Sequence, residues 1–344
     1  MKTIDYSVVD AARPRNCVLF PGALGDFICF LPALQALVAD AEVDLFARSE
    51  FVEIIPKGVT VTSLERYEIN RLFATDSGDD GRLRKIFATY QTIYSWTGSQ
   101  NELFVDRLQS FSGGRAKIFP FRSTSAKDHQ IDYYLRCLNR PVADSTQPEI
   151  SLRAEAIRWC DDFWARNSLH ASPVLVIAPG SGAREKNWPE NYFLSVIDWW
   201  RETTTGVAVL LLGPVEAERG GVERLQESAD VIASGLTLAR AAALLRRCDL
   251  FLGNDSGISH LAAAVGARTI VLFGPSDPRQ WAPRGEAVTI VSRAIECSPC
   301  ESQAMKICSH RACLTGLPPA EVINRMATQA EAVTLTRVGA GIKV

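Results

Sequence analysis

The chain has 344 residues, of which 47% are hydrophobic and 22% charged, and its formal net charge at neutral pH is −2. The length suits two domains of ordinary size, and the composition is that of a folded globular protein. A general nucleic-acid-binding protein is disfavoured, because it would have a clearly basic domain. No apolar run approaches the roughly 20 residues that cross a bilayer, and the first residues lack a signal-peptide core. The sequence therefore predicts a cytoplasmic protein.

The first predicted strand leads through a glycine loop into a helix. Asn16–Phe20 is a short apolar run typical of a central parallel strand, and Pro21–Asp26 forms the loop. A helix is predicted over Phe27–Ala39, with a kink or restart at Pro32. The glycine spacing differs from the dinucleotide fingerprint G-x-G-x-x-G. Asp26 has two interpretations, a helix cap or a general base that accepts the proton of an attacking hydroxyl.

Strands and helices alternate through the first half, which predicts a parallel sheet with right-handed crossovers. The further predicted strands are Glu42–Ala47, Val59–Leu64 and Gln91–Trp96. Trp96, Thr97 and Gly98 follow the last of these strands, at the sheet edge where Asp26 is also expected. These three residues are therefore the candidate acceptor-binding wall.

Five basic residues follow without an intervening acid: Arg107, Arg115, Lys117, Arg122 and Lys127. Such a run is either a solvated face or a source of positive charge for an anionic acceptor. Helices are predicted over Asp132–Asn139 and Arg153–Arg166, on either side of a polar, proline-containing linker at 140–148. The linker predicts a domain boundary, with one domain over residues 1–150 and a second over 151–344.

The second half opens with the strand Val174–Ala178 and a second glycine turn, Pro179–Gly182. Ser181 and Gly182 can offer a hydroxyl and a backbone amide to a phosphate, and Lys186 can add an ammonium. Arg184 is the alternative for that cationic role, and a lone lysine after a glycine turn can also be an ordinary surface residue.

The motif with the most candidate ligand-binding residues begins with a predicted buried strand that ends at Gly253. The turn Asn254–Gly257 comes next, and Ile258–Val265 then has apolar residues at helical spacing. Asp255 and Ser256 are good N-cap residues, Gly257 lets the backbone approach a ligand, and the free amides of the first turn favour an anion. This arrangement predicts an anion site at the start of a helix.

A neighbouring strand, Thr269–Phe273, ends in the rigid loop Gly274–Pro278. Two adjacent strand ends whose loops point the same way form the ligand crevice of an open α/β sheet. Further elements are the strands Val207–Leu212 and Val288–Val291, and the helices Ala239–Arg247 and Glu321–Val333. We expect the last helix to pack back across the domain junction.

Three blocks of sequence, in this order, resemble glycosyltransferase family 9, the ADP-heptose:lipopolysaccharide heptosyltransferases. They are Leu24-Gly25-Asp26; Pro179-Gly180-Ser181-Gly182-x-x-x-Lys186-x-Trp188-Pro189; and Asp255-Ser256-Gly257-x-x-His260-Leu261-Ala262-Ala263-Ala264, followed by Phe273-Gly274-Pro275-Ser276-Asp277-Pro278 and Trp281-x-Pro283. The resemblance implies an α/β fold of the GT-B type, with two Rossmann-like domains facing across a cleft. It also implies that the N-terminal domain binds the acceptor and the C-terminal domain the nucleotide sugar.

The resemblance implies an inverting transfer of heptose from ADP-heptose to a hydroxyl of a lipopolysaccharide core. Asp26 is then the base, and Lys186 stabilises the departing diphosphate. The implied donor-binding residues are Ser181, Gly182, Lys186, Glu216, Leu236, Thr237, Asp255, Ser256, Gly257 and His260. Glu216 is preferred to Glu218 as the ribose ligand, and Asp255 is expected to cap its helix or hold sugar hydroxyls. His260 is either a phosphate or sugar contact or a packing residue.

No cofactor is expected besides the nucleotide sugar, because no Asp-x-Asp motif lies near the donor loops. The expected partners are this donor and an anionic glycan or lipopolysaccharide acceptor, without nucleic acid, at the cytoplasmic face of the inner membrane. Four cysteines near the C-terminus could bind zinc or iron, or remain reduced thiols. They are Cys297, Cys300, Cys308 and Cys313.

Three alternatives stay open on the sequence. The enzyme could use another nucleotide sugar or a protein acceptor. The chain could be a catalytically inactive sugar-nucleotide-binding or assembly protein. A nucleotide-dependent oxidoreductase fits the alternation of strands and helices, but the missing dinucleotide fingerprint weakens it.

Overall fold

The structure, a computed structural model, describes residues 13–76, 78, 80–125, 127–143 and 145–339. These residues form two compact units, neither of which is one continuous segment. The first unit contains the described residues as far as Pro21, together with Leu34–Ser49 and Lys57–Phe121. The second contains Gly22–Ala33, Glu50–Pro56 and the chain from Arg122 onwards. The units therefore divide at Phe121 and not at the predicted 150/151 boundary.

The first unit is built on a five-stranded parallel sheet with the strand order β3-β2-β1-β4-β5. Its strands are β1 (Arg15–Leu19), β2 (Glu42–Ala47), β3 (Val59–Ser63), β4 (Thr92–Ser95) and β5 (Ala116–Ile118). Cys17, Val18 and Leu19 are completely buried, as expected for a central strand covered on both faces. The prediction of a parallel sheet is confirmed, although β5 lay inside the basic run and was not predicted.

Four helices begin in the first part of the chain: α1 (Leu24–Asp40), α2 (Tyr67–Asn70), α3 (Asp80–Phe87) and α4 (Glu102–Ser112). Helix α1 has 17 residues and includes Pro32, so the predicted restart there is wrong, and a kink at Pro32 stays a prediction. A proline removes one backbone donor from a helix, and the buried surface of Phe27, Phe30 and Leu34 stabilises α1 on both sides of it. A 3₁₀ turn, Ser49–Glu53, follows β2.

The second unit is built on a six-stranded parallel sheet with the order β11-β10-β9-β6-β7-β8. Its strands are β6 (Val174–Ala178), β7 (Val207–Leu212), β8 (Val231–Ser234), β9 (Leu250–Asn254), β10 (Thr269–Phe273) and β11 (Val288–Ser292). All were predicted except β8. In both sheets the chain starts in the middle and then reverses direction across the sheet, which is the Rossmann arrangement.

The remaining helices are α5 (Gln130–Cys137), α6 (Ala154–Arg166), α7 (Glu190–Thr204), α8 (Pro214–Arg219), α9 (Glu223–Ser228), α10 (Leu238–Arg247), α11 (Gly257–Ala264), α12 (Pro278–Trp281), α13 (Ser302–Ile307), α14 (Ala312–Thr315) and α15 (Pro319–Gly339). Helix α15 packs on α7 and β11, with Val322 and Met326 completely buried. None of the helices within the described ranges has both the length and the apolar character needed to cross a membrane.

The core of the second unit consists of apolar side chains from the sheet and from α7, α14 and α15. β6 and β9 are neighbours in the sheet, and the chain leaves them in opposite directions. In an open parallel sheet, such a point leaves a crevice beyond the carboxyl ends of the strands, where ligands bind. The predicted donor loops follow these two strands and β10.

Candidate active site

A cavity of about 710 Å³ lies in the second unit, beyond the carboxyl ends of β6, β9 and β10. This volume is within the range of small-molecule sites. It is lined by Ala23, Gly25, Asp26, Arg122, Ser123, Gln130, Gly182, Ala183, Lys186, Asp255, Ser256, Gly257, His260, Pro275, Ser276, Asp277, Gln280, Trp281, Pro299, Cys300, Glu301 and Met305. The cavity thus collects residues from all three motifs that carried the family resemblance.

The first turns of α1 and α11 touch each other at two glycines. A Cβ atom added to Gly257 would lie 2.8 Å from the Leu24 Cβ and 2.9 Å from the Gly25 nitrogen. A Cβ added to Gly25 would lie 3.3 Å from His260 Cδ2. Only glycine therefore fits this approach at position 257. The contact brings two sets of helix N-terminal amides, which favour negative charge, to one wall of the cavity.

Asp26 lies in the first turn of α1 with 8% of its surface exposed. Its Oδ2 accepts a hydrogen bond from the Ala23 backbone nitrogen at 3.3 Å, a contact typical of an acid in the third position of a helix. Arg122 Nη2 donates to both carboxylate oxygens, at 3.1 and 3.4 Å. Asp26 therefore has a capping contact and still borders the cavity. The role of base stays a prediction.

Lys186 and Asp255 form a second ion pair in the cavity, with 2.6 Å between Lys186 Nζ and Asp255 Oδ2. Their side chains are 26% and 7% exposed. Lys186 ends a 3₁₀ turn, Arg184–Lys186, and it is Lys186 and not Arg184 that lines this cavity. The suggestion that Asp255 caps α11 is wrong, because Ser256 occupies the N-cap position and neither side chain caps the helix there.

The loop after β6 uses Ser181 and Gly182 in different ways. Ser181 Oγ lies 2.6 Å from the Ala183 carbonyl oxygen and 2.7 Å from Asn187 Oδ1, so its single proton is used inside the loop. Gly182 lines the cavity, and a Cβ added there would meet no atom within 4 Å. The backbone at Gly182 is therefore accessible to a ligand, while the Ser181 hydroxyl mainly shapes the turn.

Glu216 borders a second, smaller cavity of about 80 Å³, together with Gly180, Ser181 and Arg184. Its Oε2 accepts a hydrogen bond from the Gly213 nitrogen at 2.8 Å, and its carboxylate fills the space where a Gly180 side chain would be. Glu218 is exposed. The choice of Glu216 as the ribose ligand remains a prediction.

Leu236 and Thr237 lie outside the lining of both cavities. Thr237 is the N-cap of α10 and accepts a hydrogen bond from the Arg240 nitrogen at 3.4 Å. The backbone amide of Ala239, one residue before Arg240, donates a hydrogen bond to Glu53 Oε2 at 2.9 Å. The structure thus assigns Thr237 a capping contact, and its predicted role in the nucleotide pocket stays untested.

His260 is 4% exposed and lies beneath the contact between α1 and α11. Its Nδ1 is 3.7 Å from Cys29 Sγ, and the ring also hydrogen-bonds the Trp281 backbone. Burial lowers the pKa of His260 to about 4. The pKa of the Cys29 thiol is raised, mainly by burial and to a smaller extent by the negative charge of Asp26. Both groups are therefore neutral at pH 7, and His260 can contact a phosphate only as an uncharged ring.

The proposed acceptor wall belongs to the first unit. Trp96 is completely buried and packs against Phe20 and Phe119, with ring centroids 6.4 and 5.3 Å away. This position argues against a ligand contact by the Trp96 side chain. Thr97 and Gly98 are partly exposed, and their assignment to the acceptor stays a prediction.

The four C-terminal cysteines are free thiols. Within the described ranges, no group of three or more histidine, cysteine or acidic side chains is arranged to hold a metal. Cys300 borders the large cavity. The pKa of its thiol is raised, mainly by burial and to a smaller extent by the neighbouring thiols of Cys297 and Cys308. The structure gives no support to a metal site here.

Two residues in or beside the cavity, Arg122 and Asn254, were given no role by the sequence. Arg122 appeared only as a member of a basic run. Its guanidinium contacts Asp26 and lies 4.8 Å from the centre of the Trp281 ring. Asn254 is completely buried; it donates to the Pro179 carbonyl oxygen at 2.6 Å and accepts from the Trp188 nitrogen at 3.0 Å. No sequence signal could pair residues so far apart along the chain.

The chain is similar in sequence to a known protein family and to individual heptosyltransferases. The family model described as "Glycosyltransferase family 9 (heptosyltransferase)" matches residues 123–308, more than half of the chain. Lipooligosaccharide heptosyltransferase 2 of Haemophilus influenzae is 32% identical over 132 residues, 36% of this chain and 37% of the relative. The Campylobacter jejuni protein of the same name is 26% identical over 220 residues, 61% of this chain and 67% of the relative. The aligned part thus spans between about a third and two thirds of these relatives.

Among solved structures, the Escherichia coli ADP-heptose LPS heptosyltransferase II superposes with a TM-score of 0.66 at 16% identity. The alignment covers 94% of this chain and 99% of that one. At this level of identity the likeness concerns the fold, which matches heptosyltransferases of the GT-B type.

Proposed function

The chain belongs to glycosyltransferase family 9, and from this we propose that it transfers heptose from ADP-heptose to a hydroxyl of a lipopolysaccharide core. One observation carries the proposal. Asp26, which follows the first strand, and the Lys186–Asp255 pair, which follows later strands, line one cavity at the N-termini of α1 and α11. The proteins that the chain resembles are named for heptosyl transfer to lipooligosaccharide or lipopolysaccharide.

In the proposed reaction, Asp26 accepts the proton of the acceptor hydroxyl while the hydroxyl oxygen attacks the anomeric carbon. The bond from that carbon to the β-phosphate oxygen breaks on the opposite face, so the anomeric configuration inverts. ADP leaves with the bonding electrons. A general base of this kind typically contributes about 10²- to 10⁴-fold to the rate.

The departing diphosphate gathers negative charge, which the groups around α11 are suited to stabilise. They are the Lys186 ammonium, the open backbone at Gly182 and the first amides of α11. Pre-oriented donors of this type act strongly in a cavity that excludes water. Lys186 must turn from Asp255 towards the phosphate, and Asp255 is then available to accept hydrogen bonds from sugar hydroxyls. This assignment needs no divalent ion.

The experiment that tests the proposal compares the wild type with Asp26→Ala. Binding is measured as the rise in melting temperature with ADP-heptose, ADP, UDP-glucose and GDP-mannose, since a ligand of the native state stabilises it in proportion to occupancy. Transfer is measured with a heptose-deficient lipopolysaccharide core.

We expect stabilisation by ADP and ADP-heptose only, unchanged in Asp26→Ala, and loss of at least about 100-fold in transfer by the variant. Stabilisation by UDP-glucose or GDP-mannose instead would reject ADP-heptose as the donor. Binding without any transfer by the wild type would identify a sugar-nucleotide-binding protein. Transfer retained by the variant would remove Asp26 from the role of base.

A further inference from the structure

The Asp26 carboxylate has two hydrogen-bond partners at the cavity wall. The Arg122 guanidinium contacts both carboxylate oxygens, and the Ala23 amide contacts one of them. The guanidinium occupies carboxylate lone pairs to which an attacking hydroxyl would have to donate its proton. A base held in this way is not ready to activate a hydroxyl.

Arg122 is placed to release the carboxylate without a change in the backbone. The backbone beside it is anchored, because the Ser123 hydroxyl donates to Asp128 Oδ2 at 2.8 Å and the Ser123 amide donates to Gln130 Oε1 at 3.4 Å. The Arg122 side chain is 53% exposed, against 9% for Asp26. The exposed arginine side chain therefore has room to rotate, whereas the Asp26 side chain is buried.

Trp281 gives the guanidinium a second support. The Arg122 guanidinium carbon lies 4.8 Å from the centre of the indole ring, a distance at which a cation is attracted to the ring face. Both residues line the same cavity as Asp26. The arginine can thus turn from the carboxylate towards a ligand and remain stacked on the indole.

We propose that Arg122 gates the base. Without acceptor it pairs with Asp26; a carboxylate or phosphate group on the acceptor takes over the guanidinium, and Asp26 is released to accept the proton of the neighbouring hydroxyl. This inference rests on the proposed function and adds a positioning residue to it.

The gate protects the donor from water. In hydrolysis, a water oxygen bonds to the anomeric carbon, its proton passes to Asp26, and ADP leaves with the electrons of the broken bond. Water has no anionic group with which to draw Arg122 away, so it meets a paired carboxylate. An anionic acceptor meets a free one.

The test measures ADP release from ADP-heptose by the full-length chain, with and without a heptose-deficient lipopolysaccharide core. The variant is Arg122→Gln. The matched control is Arg136→Gln, because the Arg136 side chain is about as exposed as that of Arg122, 47% against 53%. Arg136 also forms an ion pair, with Asp128 at 2.8 Å, and does not line the cavity. The double variant Asp26→Ala/Arg122→Gln shows whether any effect passes through the base.

We expect Arg122→Gln to raise acceptor-independent ADP release by about tenfold or more, a fraction of what a general base can contribute. The rate of transfer to the anionic acceptor should fall in this variant, so the ratio of hydrolysis to transfer should rise. The control should behave as the wild type, and the double variant should lose the added hydrolysis. A purely structural role for Arg122 would lower both rates together.

Two results would overturn the gate alone, provided that the wild type transfers heptose. They are ADP release by Arg122→Gln that does not exceed that of the control, and added hydrolysis that persists in the double variant. A wild type that neither binds nor consumes ADP-heptose would reject the proposed function, and the gate with it. The melting-temperature rise with ADP separates these cases, because it reports donor binding in every variant.

Discussion

Asp26, Arg122, Lys186 and Asp255 form two ion pairs at the cavity wall. The three motif residues among them could be selected from the sequence, because each follows a strand at a glycine-containing turn. The pairing itself could not be predicted, since Arg122 has no motif and its contact with Asp26 depends on the fold. We propose that both pairs exchange partners when ligands bind.

Replacing Lys186 by Met should weaken ADP binding. The ammonium lines the same cavity as the first residues of α11. A hydrogen bond to a charged group is worth about 1.5–3 kcal/mol, which corresponds to a loss of roughly 10- to 150-fold in affinity. Isothermal titration with ADP measures it.

Asp255→Asn is the companion variant, because it keeps the shape and removes the charge that competes for Lys186. It should bind ADP at least as tightly as the wild type. Weaker ADP binding in Asp255→Asn would contradict the proposed exchange of Lys186 from Asp255 to the phosphate.

His260 should make the protein sensitive to acid. Its pKa is lowered to about 4 in the folded state, whereas an unfolded histidine titrates near 6.5. Between these values the unfolded chain binds a proton that the folded chain does not, so the free energy of unfolding falls as the pH falls from 6.5 towards 4. His260 contributes about 3 kcal/mol to this loss over the whole window.

Urea unfolding at pH 7, 6 and 5 measures the effect in the wild type and in His260→Gln. The variant should be less stable at pH 7, because it loses buried packing, and its stability should depend less steeply on pH. Equal slopes for the two proteins would show that His260 is not the group responsible.

Among the elements, the strands with the clearest sequence signal are those buried along their whole length. β6, β9 and β10 have no exposed residue, and continuous apolar runs identify such strands. β5 and β8 were missed because each is a short edge strand with exposed positions, Lys117 in one and Ile232 in the other. Edge strands are short and polar enough to be mistaken for loops.

The contact between α1 and α11 can be tested with Gly257→Ala. The added methyl group would meet the Leu24 Cβ and the Gly25 nitrogen at under 3 Å, so the two helix starts must separate. We expect a loss of about 1–3 kcal/mol in the free energy of unfolding, measured by urea denaturation, together with weaker ADP binding.

Gly81→Ala is the matched control, since Gly81 lies in α3 and a Cβ there meets no atom within 4 Å. This control should be stabilised by up to about 1 kcal/mol, because alanine favours a helix over glycine. If both variants gave the same change, the close approach would not matter.

For the molecule as a whole, the alternation of strands and helices predicted a parallel sheet, and the family resemblance implied two Rossmann-like domains. The structure contains two parallel sheets, which confirms the fold class. The composition of the linker at 140–148 predicted a domain boundary there, but the two units are defined by which segments pack together. Phe27 stacks on Phe51 with ring centroids 4.0 Å apart, and both side chains belong to segments of the second unit. Local sequence cannot show that two early segments belong with a much later part of the chain.

A fragment consisting of residues 151–344 should therefore not fold as an independent domain. It lacks Gly22–Ala33 and Glu50–Pro56, which belong to the second unit, and each buried phenylalanine lost with them removes about 1.5–3 kcal/mol of burial. We expect a broad thermal transition and strong binding of a hydrophobic dye. A sharp transition near the melting temperature of the full chain would show that these segments are dispensable.

Gly257 also limits how this sequence can diverge. The Leu24 Cβ that a methyl group at position 257 would meet is an atom that every amino acid except glycine carries, and the Gly25 nitrogen belongs to the backbone. Ordinary substitutions in α1 therefore cannot make room for it. Descendants of this chain that keep the two helix starts in contact should retain glycine at position 257, however far the rest of α11 changes.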